Sequence, residues 1–174
     1  GYDRPGFPAP TGHQAEAVTR LLIVHHTPSP ATAELLDAVV SGAQDPEIGG
    51  VEVVCRAALA ATASDLLAAD GVILGTPANI GYMSGALKHF FDQVFYVCAA
   101  DTRGLPYGSY VHGNLGLEGA VRSIRSITDA LGWAAVFFIP DFIDGAHRFS
   151  NGVAIATLVL IASGGLLYTL GGVV

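Results

Sequence analysis

The sequence predicts a doubly wound α/β domain: a five-stranded parallel sheet with helices on both faces. Three observations lead there. Short apolar runs alternate with segments of helical periodicity from residue 20 to residue 140. Those runs are apolar throughout rather than alternating, the pattern of strands buried on both faces. Parallel neighbours also need crossover helices, which the intervening segments supply. A length of 174 residues with 51% hydrophobic content suffices for one sizeable core.

The elements follow in order. RLLIVHH (20–26) is too short for a helix, has a β-branched centre and ends at TPSP, so it is the first buried strand. TAELLDAVVSGA (32–43) puts Leu35, Leu36, Val39 and Val40 on one helical face, with Glu34, Asp37 and Ser41 elsewhere. VEVVCRA (51–57) is a second strand after the Gly49-Gly50 turn. ASDLLAADGVILGTP (63–77) gives a short helix leading into an apolar strand over 71–75. SGALKHFFDQVF (84–95) is the next helix, on which Lys88 pairs with Asp92 at i+4 for a few tenths of a kcal/mol. YGSYVHGN (107–114) is a fourth strand, and the following helix carries Val121, Ile124, Ile127 and Leu131 as one stripe. AAVFFIP (134–140) makes the fifth strand.

Composition excludes several function classes. The net charge is −7 and Lys88 is the sole lysine, so there is no basic stripe to neutralise nucleic-acid phosphates. Cys55 and Cys98 lie too far apart for a CxxC pair or a zinc spacing, and read as reduced thiols in a cytoplasmic protein. GYDRPGFPAPTGHQ (1–14) has three prolines and no apolar core of a secretory signal, so residues 1–19 are expected to form a mobile or surface-draped arm. No GxGxxG follows the first strand, and neither GxxxxGK[ST] nor GxSxG occurs.

In a doubly wound sheet, ligands bind outside the carboxyl ends of the strands where the strand order reverses. Three segments leave those ends. TPSPAT (27–32) sets the hydroxyls of Thr27, Ser29 and Thr32 beside the unpaired N–H groups of a helix start, which suits a phosphate and equally suits simple capping. TPANIGYM (76–83) is long for a strand-to-helix connection. Its backbone amides, the Asn79 side chain and the apolar surfaces of Ile80, Tyr82 and Met83 suit a planar, partly polar ring; taken singly, Tyr82 and Met83 read as core and Pro77 as a strand end, a reading against which the length of the segment and Gly81 argue. HGNLGLEG (112–119) places Gly113, Gly116 and Gly119 around Asn114, allowing close backbone approach to a flat ligand. His112 reads first as a hydrogen-bonded strand-end residue and second as a general acid, and neither it nor His25 and His26 has metal-ligand spacing.

At these residues the chain resembles the flavodoxin-like family of NAD(P)H-dependent FMN reductases and quinone reductases. GTPANIGYMSGALKHFFD (75–92) resembles the family's second FMN loop and is the most specific match. LLIVHHTPSPATAELLDAVV (21–40) resembles its first strand, phosphate loop and first helix, with Pro30 and Ala31 standing where Gly-Asn is common. Residues 107–133 resemble the third loop and its helix. The resemblance implies a flavodoxin-like fold with FMN as cofactor and NAD(P)H as electron donor. It places the phosphate at Thr27, Ser29, Ala31 and Thr32, and the ring at Thr76, Pro77, Ala78, Asn79, Ile80, Gly81, Tyr82 and Met83. His112, Gly113, Asn114 and Gly116 take the ring's other edge. No catalytic side chain and no metal is implied.

The resemblance weakens after residue 133. From residue 150 to 174 there is no Asp, Glu, Lys, Arg or His, and the stretch is long enough to cross a bilayer. Three readings stand: a last helix buried against the sheet or a partner subunit, a C-terminal membrane anchor, or an altered terminus. Packing is preferred, since the sheet needs a helix beside its fifth strand and no basic residue follows. The expected domain is therefore 20–174. Its expected activity is hydride transfer from NAD(P)H through FMN to a quinone or other small acceptor, with self-association implied by the family. Two other readings are a flavodoxin-type single-electron carrier between proteins and a non-catalytic relic of the fold.

Overall fold

The structure, a computed structural model, describes residues 18–142. The N-terminal arm up to residue 17 and the apolar stretch 150–174 lie outside the described residues.

The chain forms β1 (Thr19–His25), α1 (Pro30–Ala43), β2 (Val51–Ala57), α2 (Ala63–Leu67), β3 (Gly71–Asn79), β4 (Tyr82–Met83), α3 (Gly85–Cys98), β5 (Pro106–Gly113), α4 (Leu117–Leu131) and β6 (Ala134–Phe142). The sheet order is β2-β1-β3-β5-β6, all parallel, and β4 pairs antiparallel with the end of β3. The chain moves one way from β1 to β2 and the other way from β3 onward, so the order reverses between β1 and β3. This is the expected α/β architecture, with five parallel strands and one short strand that was not foreseen.

Right-handed crossovers place α2, α3 and α4 on one face and α1 on the other. The first face buries Leu66 of α2, Leu87, Phe90, Phe91 and Val94 of α3, and Ile124 and Leu131 of α4. The second packs Val39 and Ala43 of α1 on Leu21, Ile23, Ile73 and Tyr110. Each fully buried Leu, Ile or Phe contributes about 1.5–3 kcal/mol of hydrophobic stabilisation, so the face bearing Phe90 and Phe91 is the stronger anchor. There Phe91 and Tyr107 lean on Trp133 with ring centroids 6.2 and 5.8 Å away, and the indole N–H donates to Thr102 Oγ1 at 2.9 Å.

Three expected boundaries move. Helix α1 begins at Pro30 rather than at residue 32, because Ser29 caps it and proline suits the first helical position, where no N–H partner exists. Strand β3 continues four residues past Gly75 instead of ending at the Thr-Pro pair. The Gly75 carbonyl accepts His26 N–H on the β1 side. Pro77, two residues on, faces that same side, where β1 has already ended and no N–H is required. Strand β6 runs through Phe142. The Lys88–Asp92 ion pair is present as expected.

Candidate functional site

Strands β1, β3 and β5 are adjacent, and the segments leaving their carboxyl ends meet at the reversal point. His25 is level with Gly75, and Pro77 with His112, so the three exits stand side by side.

The first exit is a closed turn. Ser29 Oγ accepts the Thr32 amide at 3.4 Å, and Thr32 Oγ1 accepts the Ser29 amide at 3.1 Å while donating to the Ser29 carbonyl at 2.8 Å. Thr32 is 2% exposed, so its hydroxyl is committed to this capping box and positions the turn. Ser29 Oγ also lies 3.1 Å from Thr32 Oγ1, so it too is engaged within the box. Half-buried Ser29, the exposed Ala31 backbone and half-buried Thr27 remain the groups a phosphate could meet at this helix N-terminus. Thr27 Oγ1 lies 2.6 Å from His25 Nδ1. Burial, then the neighbouring His26, push the His25 pKa down and so disfavour the charged imidazolium.

The second exit corrects the expectation of a long loop. Residues 76–83 form a hairpin in which Ala78 pairs with Met83 and Asn79 with Tyr82, around a two-residue turn at Ile80 and Gly81. Both turn residues have positive φ, 53° and 71°, the combination of the tight hairpin turn that matches strand twist. Thr76 fixes its base: Oγ1 accepts Ser84 N–H at 2.9 Å and donates to the Pro77 carbonyl at 2.9 Å. Thr76 and Met83 are buried, at 1% and 2% exposure, as is Pro77, so these side chains hold the hairpin rather than face a ligand. The core reading of Met83 prevails, because β4 turns it onto the α4 side of the sheet. Asn79, Ile80 and Tyr82 are exposed, Ile80 completely.

The third exit, between β5 and α4, turns through Gly116 at φ 75°. Half-buried His112 and Gly113 and exposed Asn114 and Leu115 line it. A Cβ on Gly113 would come 3.1 Å from the Ala78 Cβ, so the second and third exits are in contact. Among the described residues, no three of His, Cys, Asp and Glu gather as metal ligands.

The result is a convergence of three strand exits at the strand-order reversal, the place where such sheets bind ligands. It has a helix N-terminus at one end, exposed amide side chains from Asn79 and Asn114, and apolar flanks from Ile80, Tyr82 and Leu115. That set of groups is compatible with a phosphate joined to a flat heteroaromatic ring. Residues 23–139 match the family described as NADPH-dependent FMN reductase.

The chain belongs to the NADPH-dependent FMN reductase family. FMN as cofactor and NADPH as donor are therefore the family's own, as the resemblance implied. A flavodoxin of Aquifex aeolicus (strain VF5) is 29% identical over 147 residues, spanning 79% of this chain and 74% of that one. Oxidised flavodoxin 1 of Bacillus cereus superposes with a TM-score of 0.64 at 17% identity, covering 86% of this chain and 99% of that one. A WrbA-like flavodoxin of Agrobacterium tumefaciens gives 0.60 at 16% identity, covering 84% and 99%. At such identities these structures show the shared fold. In this FMN reductase relative the sequence reading missed Ser84, whose N–H donates to Thr76 Oγ1 while its hydroxyl caps α3, and Ser123, which accepts the Met83 amide; their signal was a small polar residue at a helix start and another beside the helical stripe.

Proposed function

We propose that this chain is an FMN-bearing oxidoreductase that takes a hydride from NAD(P)H and delivers electrons to a quinone or another small acceptor. The observation that carries this reading is the meeting of three strand exits at the order reversal, with a tight hairpin in place of an ordinary loop. Bound FMN would supply the hydride and electron chemistry. The chain's own task is then to bind and orient. The start of α1, with Ser29, Thr27 and the Ala31 amide, takes the phosphate. Asn79 and Ala78 of the hairpin, with His112, Gly113 and Asn114 opposite, hold the polar edges of the ring. Ile80, Tyr82 and Leu115 cover it and limit water. In this reading Thr32, Thr76, Pro77, Met83, Gly81 and Gly116 act through the backbone they position. Such a division needs no protein acid or nucleophile.

The acceptor, a cytoplasmic setting, self-association and a domain spanning 20–174 belong to the same proposal. Among the described residues no helix is long and apolar enough to cross a membrane. A second reading, a single-electron carrier, is supported by the net charge of −7, suited to basic docking partners, and by the flavodoxin relative. A third, a relic that binds no flavin, draws on the capping box that occupies the phosphate turn.

The test is an absorbance spectrum of the purified protein with and without FMN, followed by anaerobic mixing with NADPH. A flavin spectrum that bleaches supports the reductase. One that persists favours the carrier, and absence of bound flavin refutes the FMN site.

A further inference from the structure

The hairpin tip rests on α4, backbone against backbone. A Cβ built on Gly116 would lie 2.5 Å from Gly81 Cα, and one on Gly119 only 2.0 Å from the Gly81 carbonyl oxygen. Further along the helix, Ser123 Oγ accepts Met83 N–H at 3.1 Å and donates to the Ala120 carbonyl at 2.7 Å. Positions 116, 119 and 123 recur at steps of three and four and so share one face of the helix. This face is a saddle of small residues, distinct from the apolar stripe that Ile124 and Leu131 press onto the sheet.

The saddle explains an otherwise costly feature. Ile80 is β-branched, fully exposed and held at φ 53°, a conformation that costs about 1–3 kcal/mol and persists only where the surroundings over-determine it. Its own side chain touches nothing that would hold it. The restraint comes from its neighbours, Gly81 wedged on Gly116 and Gly119, and Met83 tied to Ser123.

We propose that Gly119 and Ser123 are positioning residues for the flavin: acting through the Gly81 carbonyl and the Met83 amide, they fix the Ile80–Gly81 turn against the ring. This deepens the FMN site proposed above and rests on it. The sequence offered Gly119 only as a glycine permitting close approach to a flat ligand, and did not single out Ser123 at all. A Cβ at position 119 must recover ordinary contact near 3.4 Å, so the Gly81 carbonyl has to retreat by about 1.4 Å, enough to tilt the turn.

The experiment uses the full chain with Gly119→Ala, Ser123→Ala and, as a control, Gly49→Ala, whose Cβ meets nothing within 4 Å. Two quantities are read: the FMN dissociation constant by fluorescence quenching, and amide hydrogen exchange over residues 79–83 without flavin. The expected result is a tenfold or greater loss of FMN affinity for Gly119→Ala and about threefold for Ser123→Ala. Exchange should accelerate over 79–83 only, and Gly49→Ala should match the wild type. Affinities within twofold of wild type in folded variants overturn the proposal, whether or not exchange or the melting temperature changes, because that would make the saddle structural only. If Gly119→Ala does not fold, Ser123→Ala decides. A wild-type chain that takes up no FMN refutes the site itself, an outcome distinct from normal wild-type binding with insensitive variants.

Discussion

Removing the Tyr110 hydroxyl should stabilise the protein. Tyr110 is 4% exposed, the hydroxyl end of its ring packs close against Gly75, and its hydroxyl is buried without a hydrogen-bond partner among the described residues. A buried polar group left unpaired costs about 1–3 kcal/mol, whereas the same volume filled by apolar atoms does not. Tyr110→Phe deletes that one atom and leaves the ring in place. The void is smaller than a methyl group, so the expected gain is about 1 kcal/mol, or roughly 2–4 °C in melting temperature for a chain of this size. Burial also raises the Tyr110 pKa, with Cys55 adding to the shift, so the unfolded state ionises first as pH climbs. The stability this contributes is present below the unfolded value near 10 and lost above it, and the variant should show a shallower alkaline limb. Urea titrations of both proteins at pH 7.5 and pH 10.5 measure both effects. A variant destabilised by 0.5 kcal/mol or more at neutral pH would show that the hydroxyl has a partner, and the argument would be wrong.

Three further outcomes are expected. Gly75→Ala would put a Cβ 2.1 Å from the Tyr110 ring and hydroxyl, and should cost about 1–3 kcal/mol in a chemical melt; adding Tyr110→Ala should relieve the clash, so a double mutant with strictly additive losses would sink that account. The folded-state His25 pKa is depressed, so the unfolded chain binds the extra proton first and stability should fall as pH drops below about 6.5. Asp65, whose pKa is lowered by its Thr62 hydrogen bond and by Arg56, adds its own loss only below about 3.9, so melts between pH 7 and 5 keep Asp65 out of the measurement, and a His25→Gln variant with the same slope would refute the assignment. Ile80→Asn places a residue tolerant of positive φ at the turn and should raise stability by about 1 kcal/mol while weakening FMN binding, which a melt and a flavin titration together check.

The fold was legible because its signal is redundant. LLIV and VILG can be buried on both faces only as central parallel strands, and Val39 or Ile124 falls inward at any helix start within a residue or two. Boundaries were less legible where two local effects compete. Ser29, Pro30 and Thr32 together spell a capped helix start, with a hydroxyl before the helix, proline at its first position and a second hydroxyl three residues later. The same hydroxyls suited a phosphate and a cap equally from residue type alone, and the structure shows the cap.

The hairpin was illegible for a different reason. Its turn holds an isoleucine at positive φ, where local preference favours Asn or Gly, so no rule based on residue type would place a tight turn at Ile80. What holds the turn is supplied some forty residues away, by glycines and a serine on α4 that touch backbone rather than side chain. Backbone contacts of that kind leave no hydrophobic period in the sequence, only an unexplained run of small residues. A strained turn kept by a distant saddle also puts an apolar side chain in water beside the strand exits, against the preference of an isolated domain. Both costs find a use if a flat ring lies against Ile80, and that is why the segment which local propensity read worst is the one on which the functional proposal depends most.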